Sequence, residues 1–197
     1  MKKNAFYLFT FLGLLIFNIS WTQSKWSVDP VHSKLGFTVT HLLISEVEGN
    51  FKNYTGTITS SKPDFTDAVI DFSVDVASIN TDNEMRDKHL KSDDFFNAEK
   101  FPKITFSTSS IKKIDGNNYS LEGNLQIRDV TKKVKFDVIY KGTVKDPYGN
   151  TKAGFKATTT INRLDYGLKW NALTETGGAV VSPEVSVILN LEFALQK

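Results

Sequence analysis

The feature that most restricts this chain is a period-two alternation of apolar and polar residues, renewed in one segment after another. Leu35, Phe37 and Val39 alternate with Gly36, Thr38 and Thr40, and Ile70, Phe72, Val74 and Val76 with Asp71, Ser73 and Asp75. The pattern returns at Ile104 and Phe106, at Tyr119, Leu121, Leu125 and Ile127, and at Val134, Phe136, Val138 and Tyr140. It is thinner at Ala153, Phe155, Ala157 and Ile161, and cleanest at Val185, Val187, Leu189, Leu191, Phe193 and Leu195. Residues two apart share one face of a strand, so each segment offers one face to a core and one to water.

Turn signals separate these runs: Asp115-Gly116-Asn117-Asn118, Asp146-Pro147-Tyr148-Gly149-Asn150 and Gly177-Gly178. Such short links join antiparallel neighbours. Long ribbons in up-and-down order predict an all-β fold, an extended antiparallel barrel of about eight strands whose closure removes exposed edges. A sandwich carries the same periodicity, and alternation alone does not separate the two. Gly49, Gly56, Gly123 and Gly142 fall inside strand-like runs and are expected at bulges or bends. An inside-out membrane barrel also alternates, but its lumen would have to pair Asp71, Asp75, Glu122, Lys133, Lys135, Asp137, Lys141 and Glu192.

One stretch breaks the pattern. Residues 82–100 are expected to be a short helical segment, started by a Thr81/Glu84 capping box and supported by the i,i+4 pairs Asp82/Arg86 and Asp87/Lys91. Met85, His89 and Leu90 share its expected inward face, and Asp93-Asp94 suit a helix start. Phe95, Phe96 and Phe101 follow in a charged context, where each would gain roughly 1.5–3 kcal/mol by leaving water. The segment should therefore fold down over one end of the barrel.

Residues 1–24 have the pattern of a secretory signal: basic Lys2 and Lys3, an apolar run to Ile19, then small Thr22 and Ser24 before a cut at Lys25. Residues 25–197 then form one domain, with 22 acidic residues balanced by the remaining basic ones. A chain with no net charge and no basic stripe is a poor nucleic-acid binder. With no cysteine, it has neither a disulfide framework nor a lipidated N-terminal Cys.

His32, His41 and His89 are the candidates for catalysis or metal binding, yet they lack the clustering and short spacing a metal centre uses. They read better as polar anchors at a barrel rim. No Gly-x-Ser-x-Gly elbow, phosphate loop, HExxH or dinucleotide fingerprint is present. Nothing here supports an enzyme, a metal or a resident cofactor. Fifteen phenylalanines fit either a filled core or the wall of a ligand tube.

The chain resembles the YceI-like family, polyisoprenoid-binding proteins with a lipocalin-like barrel. The matching residues are Trp26-Ser-Val-Asp29-Pro-Val-His32-Ser33, Phe37, His41, Gly49, Phe51 and Gly56 near the start. Arg86-Asp87-Lys88-His89-Leu90, Phe95-Phe96, Phe101-Pro102 and Phe106 follow, then Gly123-Asn-Leu125 and Gly154-Phe155. Asn162-Arg163-Leu-Asp165-Tyr166-Gly167-Leu168 and Asn171 complete the set. Asp129-Val-Thr-Lys-Lys133-Val departs from the family's usual Gly-Val-Thr-Lys-Pro-Val at one turn.

The resemblance implies an elongated apolar cavity for a long-chain isoprenoid lipid or quinone-like chain, and export to the periplasm. Phe37, Phe72 and Phe106 are then expected to line the tube, Phe95 and Phe96 to close it, and His41, Arg86 or His89 to meet a polar head at the mouth. Transient membrane contact and a homodimer are compatible with that reading. The rival expectations are an interaction module with a filled core, and an enzyme acting on a lipid head group through His41 or His89.

Overall fold

A computed structural model describes residues 23–173, 175 and 177–196. The signal segment expected over residues 1–24 lies almost wholly outside them. Ser24 is within, as the first residue of β1 (Ser24–Val28). Ten further strands follow: β2 (Lys34–His41), β3 (Ser45–Phe51), β4 (Tyr54–Ser60), β5 (Val69–Asp75), β6 (Ile79–Asn80), β7 (Lys103–Asp115), β8 (Asn118–Ile127), β9 (Val130–Lys145), β10 (Thr151–Asn162) and β11 (Val181–Leu195). Helix α1 (Glu84–Lys91) lies between β6 and β7.

The ring β1-β4-β5-β7-β8-β9-β10-β11 closes through β1 and β11, at Trp26↔Leu195 to Val28↔Phe193. The other three strands continue staves of this ring. β11 pairs with β1 near its end and with β2 over Val181–Asn190, so β1 and β2 lie end to end along one edge. β3 pairs β2 as β4 pairs β1, and β6 pairs β3 as β5 pairs β4. The molecule is thus an eight-stave up-and-down antiparallel barrel with three staves interrupted.

The first interruption, residues 29–33, shows how the breaks are satisfied. Asp29 N donates to the Glu192 carbonyl (2.8 Å), Glu192 N donates to Ser33 Oγ (2.9 Å), and Tyr54 Oη donates to the Ser33 carbonyl (2.8 Å). The Glu192 groups that face the break and the Ser33 carbonyl thus find other partners where the ladder stops.

Of the four glycines expected at bulges, two behave so: Gly142 has a φ of 111° and the β9–β10 register shifts beside its partner Gly154, and the β7–β8 register shifts beside Thr108, the partner of Gly123. Gly49 and Gly56 stay in regular ladders, and at Gly49, Gly56 and Gly123 a Cβ would overlap the rings of Phe37, Phe72 and Phe106 respectively. They are glycines because a neighbouring ring needs the space.

The helical segment is shorter than expected. Asn83, not Thr81, caps α1 by accepting from Arg86 N (3.0 Å). Asp82 adopts a left-handed φ of 57°, which breaks the capping-box geometry. Thr81 is buried and holds the helix differently: its N and Oγ1 donate to Asp87 Oδ1 (2.9 and 2.6 Å), while Arg86 donates to its Oγ1 and carbonyl. Asp87 and Arg86 are therefore engaged with Thr81 in place of their expected i,i+4 partners. Met85 is 82% exposed, not inward, because α1 touches the barrel through Leu90. The chain turns after Lys91, and Asp93 and Asp94 lie in that turn, beyond the helix, where Asp93 bonds Asn97 Nδ2 and Arg128.

Candidate ligand cavity

Alternation delivers the inward faces of all eight staves to one axis, and the side chains do not fill it. A single cavity of about 240 Å³ runs along the barrel, walled by aliphatic and aromatic groups from Ile58, Phe65 and Phe193 at one end to Leu90, Phe96 and Leu168 at the other. Polar residues in the wall have their polar atoms committed elsewhere. Thr105 Oγ1 points to Gln126 (3.5 Å) and Tyr119 Oη donates to the Asp64 carbonyl (2.8 Å). Arg163, 3% exposed, donates to the carbonyls of Leu168, Trp170, Val181 and Ser182.

The two ends differ. In the β4–β5 loop Phe65 takes a φ of 58° and turns its ring across the axis, 5.4 Å from Trp26, 5.5 Å from Tyr140 and 5.2 Å from Phe155. It is 3% exposed and shuts that end. Sequence reasoning passed over it, although a lone large ring within Ser60-Ser61-Lys62-Pro63-Asp64-Phe65-Thr66-Asp67 was the available signal.

At the opposite end the segment after α1 crosses the barrel. Phe95 is buried against Leu125, Ile127, Tyr166 and Leu168 and stacks on Trp170 (5.8 Å). Phe96 is half-buried, edge-on to Phe51 (6.0 Å), which in turn contacts Phe37 (5.9 Å). Two arginines hold this cover. Arg128 Nη1 donates to the carbonyls of Asp93, Phe95 and Gly167, and Arg163 lies beneath the Phe95 ring at 6.0 Å. Burial pushes the Arg163 guanidinium below its ordinary range, and the four carbonyls offset part of that cost. Partial exposure of Phe37, Val39, Phe96, Val181 and Val185, against burial of Ile58, Phe65, Ala68 and Phe193 at the other end, places the mouth here.

Among the expected site residues, Phe37, Phe72, Phe95, Phe96 and Phe106 all border the cavity. His41, Arg86 and His89 do not. His41 sits at the last β2 pair, opposite Val181 and Ser45. Arg86 is spent on Thr81. His89 Nε2 bonds Asp94 (2.9 Å), and its ring meets Phe95 and Trp170 edge-on, on the outer side of the cover.

His32 belongs to a separate cluster on the outer surface. Its Nδ1 is 3.0 Å from Asp29 Oδ2, and Lys152 Nζ lies 2.7 Å from Asp29 and 3.1 Å from Glu192. Asp29, His32 and Glu192 have the donor atoms of a cation site, but the Lys152 ammonium already supplies the positive charge between the carboxylates. Bonds from Lys152 and His32 hold the Asp29 carboxyl well below the usual range and push the Lys152 and His32 values up. The cluster ties the residue 29–33 excursion to β10 and β11.

The family model of the YceI-like domain matches residues 26–193. Among relatives, "UPF0312 protein SA2479" of Staphylococcus aureus (strain N315) is 35% identical over 176 residues, covering 89% of this chain and 100% of that protein. The YCEI protein of Campylobacter jejuni has a similar structure, with a TM-score of 0.69 and 34% identity over 80% of this chain and 90% of that one. BcnA of Burkholderia cenocepacia superposes with a TM-score of 0.73 at 23% identity, covering 84% of this chain and 98% of that one. A polyisoprenoid binding domain from Saccharophagus degradans, implicated in plant cell wall breakdown, reaches 0.64 at 15% identity over 87% and 98%. These last two share the fold. With a closed eight-stave barrel and a family match over nearly all of it, the chain belongs to the YceI-like family.

Proposed function

We propose that this protein is an exported carrier that holds a long apolar lipid, a polyisoprenoid or an isoprenoid quinone-like chain, inside the barrel for transport or storage. The observation that carries this reading is a lengthwise cavity whose wall offers no free hydrogen-bonding group. Such a wall cannot select a polar molecule, because each polar group taken in without a partner costs free energy. It can hold a hydrocarbon chain, at roughly 0.8 kcal/mol for each CH2 removed from water. The name of the Saccharophagus degradans domain points to the same ligand class. Binding without catalysis suits the site, since His41 and His89, the side chains first considered for chemistry, lie off the cavity. Export to the periplasm rests on the pattern of residues 1–24.

The test is solvent extraction of protein purified from its native compartment, followed by mass spectrometry, with reloading of the stripped protein. The expected result is an isoprenoid lipid near one per chain. No extracted lipid, together with no binding of added isoprenoid, overturns the reading.

A further inference from the structure

The β2–β3 connection is the most apolar exposed element of the described chain. Leu42, Leu43 and Ile44 are consecutive and 38%, 70% and 85% exposed. Other strongly exposed aliphatics stand singly, several of them among charges: Ile114 between Lys113 and Asp115, Val144 beside Lys145, Met85 between Glu84 and Arg86. Nor is the exposure a matter of loose chain. Leu42 N donates to the Val180 carbonyl (2.9 Å) and Ile44 N to the His41 carbonyl (3.2 Å). Leu42 and Leu43 both hold left-handed backbone, with φ of 51° and 63°. Glycine or asparagine is the ordinary residue for that conformation, and leucine there is strained. Two strained leucines turned to water call for something that covers them.

Their position names the cover. Val39 and Val181 line the cavity at its mouth, and the His41↔Val181 pair carries their strands directly into the tip. Whatever surface the tip enters is therefore brought against the opening. The tip is convex and three residues long, without the aromatic or arginine anchors that concentrate binding energy in protein interfaces. It cannot offer the roughly 800 Å² per partner that a stable protein complex buries. A fluid lipid surface imposes no such demand and accepts a short apolar protrusion. Exposed Glu46 and Glu48 follow on β3, so a neutral lipid surface suits the tip better than an anionic one.

We propose that Leu42-Leu43-Ile44 is a membrane-docking tip that seats the barrel mouth on a zwitterionic bilayer. It rests on the carrier reading for its purpose, not for its geometry. The test compares the wild-type chain with the Leu43→Asn/Ile44→Asn variant, since asparagine tolerates the left-handed backbone and the fold should keep its thermal midpoint. Flotation with phosphatidylcholine vesicles should retain the wild type and lose the variant by at least about tenfold, with no gain from added phosphatidylglycerol. Uptake of a radiolabelled isoprenoid should slow by about tenfold from vesicles while staying unchanged from detergent micelles.

Equal flotation of the two proteins, or none by the wild type, overturns the proposal. So does a wild-type dimer that the variant abolishes, which would make a second copy the occupant. Failure of both proteins to take isoprenoid from micelles, with the flotation difference intact, would overturn the carrier reading and leave the docking tip standing.

Discussion

The Phe72 ring on β5 lies over Gly56, its cross-strand partner on β4, so closely that a Cβ at position 56 would overlap it. Phe37 over its partner Gly49 repeats the relationship, and Phe106 lies over Gly123, two residues from its own partner Leu125. In each case the glycine lets a large ring lie against the wall, and the axis stays free.

Replacing Gly56 by Ala should therefore cost about 1–3 kcal/mol, the usual penalty for overpacking. It should also swing Phe72 toward the lumen. Urea unfolding measures the first effect, and weakened ligand binding reports the second. Adding Phe72→Leu should restore part of the stability, a coupling that a double-mutant cycle detects.

Arg163 joins four carbonyls from two separate stretches, Leu168 and Trp170 on one side and Val181 and Ser182 on the other. Arg163→Met would strand those carbonyls and should destabilise the protein by about 3 kcal/mol or more. Arg163→Lys should recover little, because one ammonium cannot span the fork. Denaturant midpoints of the three proteins give the ranking. Hydrogen exchange should show residues 163–170 opening first.

Acid sensitivity should trace in part to Asp29, whose carboxyl is held low chiefly by the bond from Lys152. A depressed folded value stabilises fully above the unfolded carboxylate value, about pH 4, and the contribution fades as pH falls below it. His32 has the opposite sign: its value is raised by Asp29, so its contribution is full below about pH 6.5 and fades above. Asp29→Asn should lower the thermal midpoint most between about pH 4 and 6.5, with the gap closing toward pH 2. Melts followed by circular dichroism across that range check it.

Ala157 is buried in the cavity wall. Ala157→Phe should block the tube and abolish isoprenoid binding, at a stability cost of about 1–3 kcal/mol. Phe96→Ala, at the half-buried mouth, should leave equilibrium binding largely intact and speed exchange. Stopped-flow release of a fluorescent apolar probe separates the two outcomes.

The ribbons of the barrel were legible in the sequence because their causes are local, though a sandwich would have shown the same alternation. Alternation assigns each side chain a face, and short polar turns make successive ribbons antiparallel, so Phe37, Phe72 and Phe106 could be placed inward from spacing alone. Helix α1 was legible only as to its existence. Its cap moved to Asn83 because Thr81 is drawn into the barrel and bonded by Asp87 and Arg86, a choice made by packing and invisible to a four-residue motif. The polar residues expected at the mouth lie off the cavity lining, and two of them have nearer partners, Arg86 on Thr81 and His89 on Asp94.

By itself, then, the sequence determined successive antiparallel ribbons with one apolar face each, since periodicity and turn chemistry act over a few residues. Their closure into eight staves and not a sandwich came from the β1–β11 pairing. Only the tertiary structure decided that the axis is hollow, that Phe65 shuts one end, and that Trp170 and two arginines hold the Phe95 cover over the other. Those outcomes depend on the barrel's radius set against the summed volume of its inward side chains, and on loops crossing from distant staves. No local pattern carries either quantity.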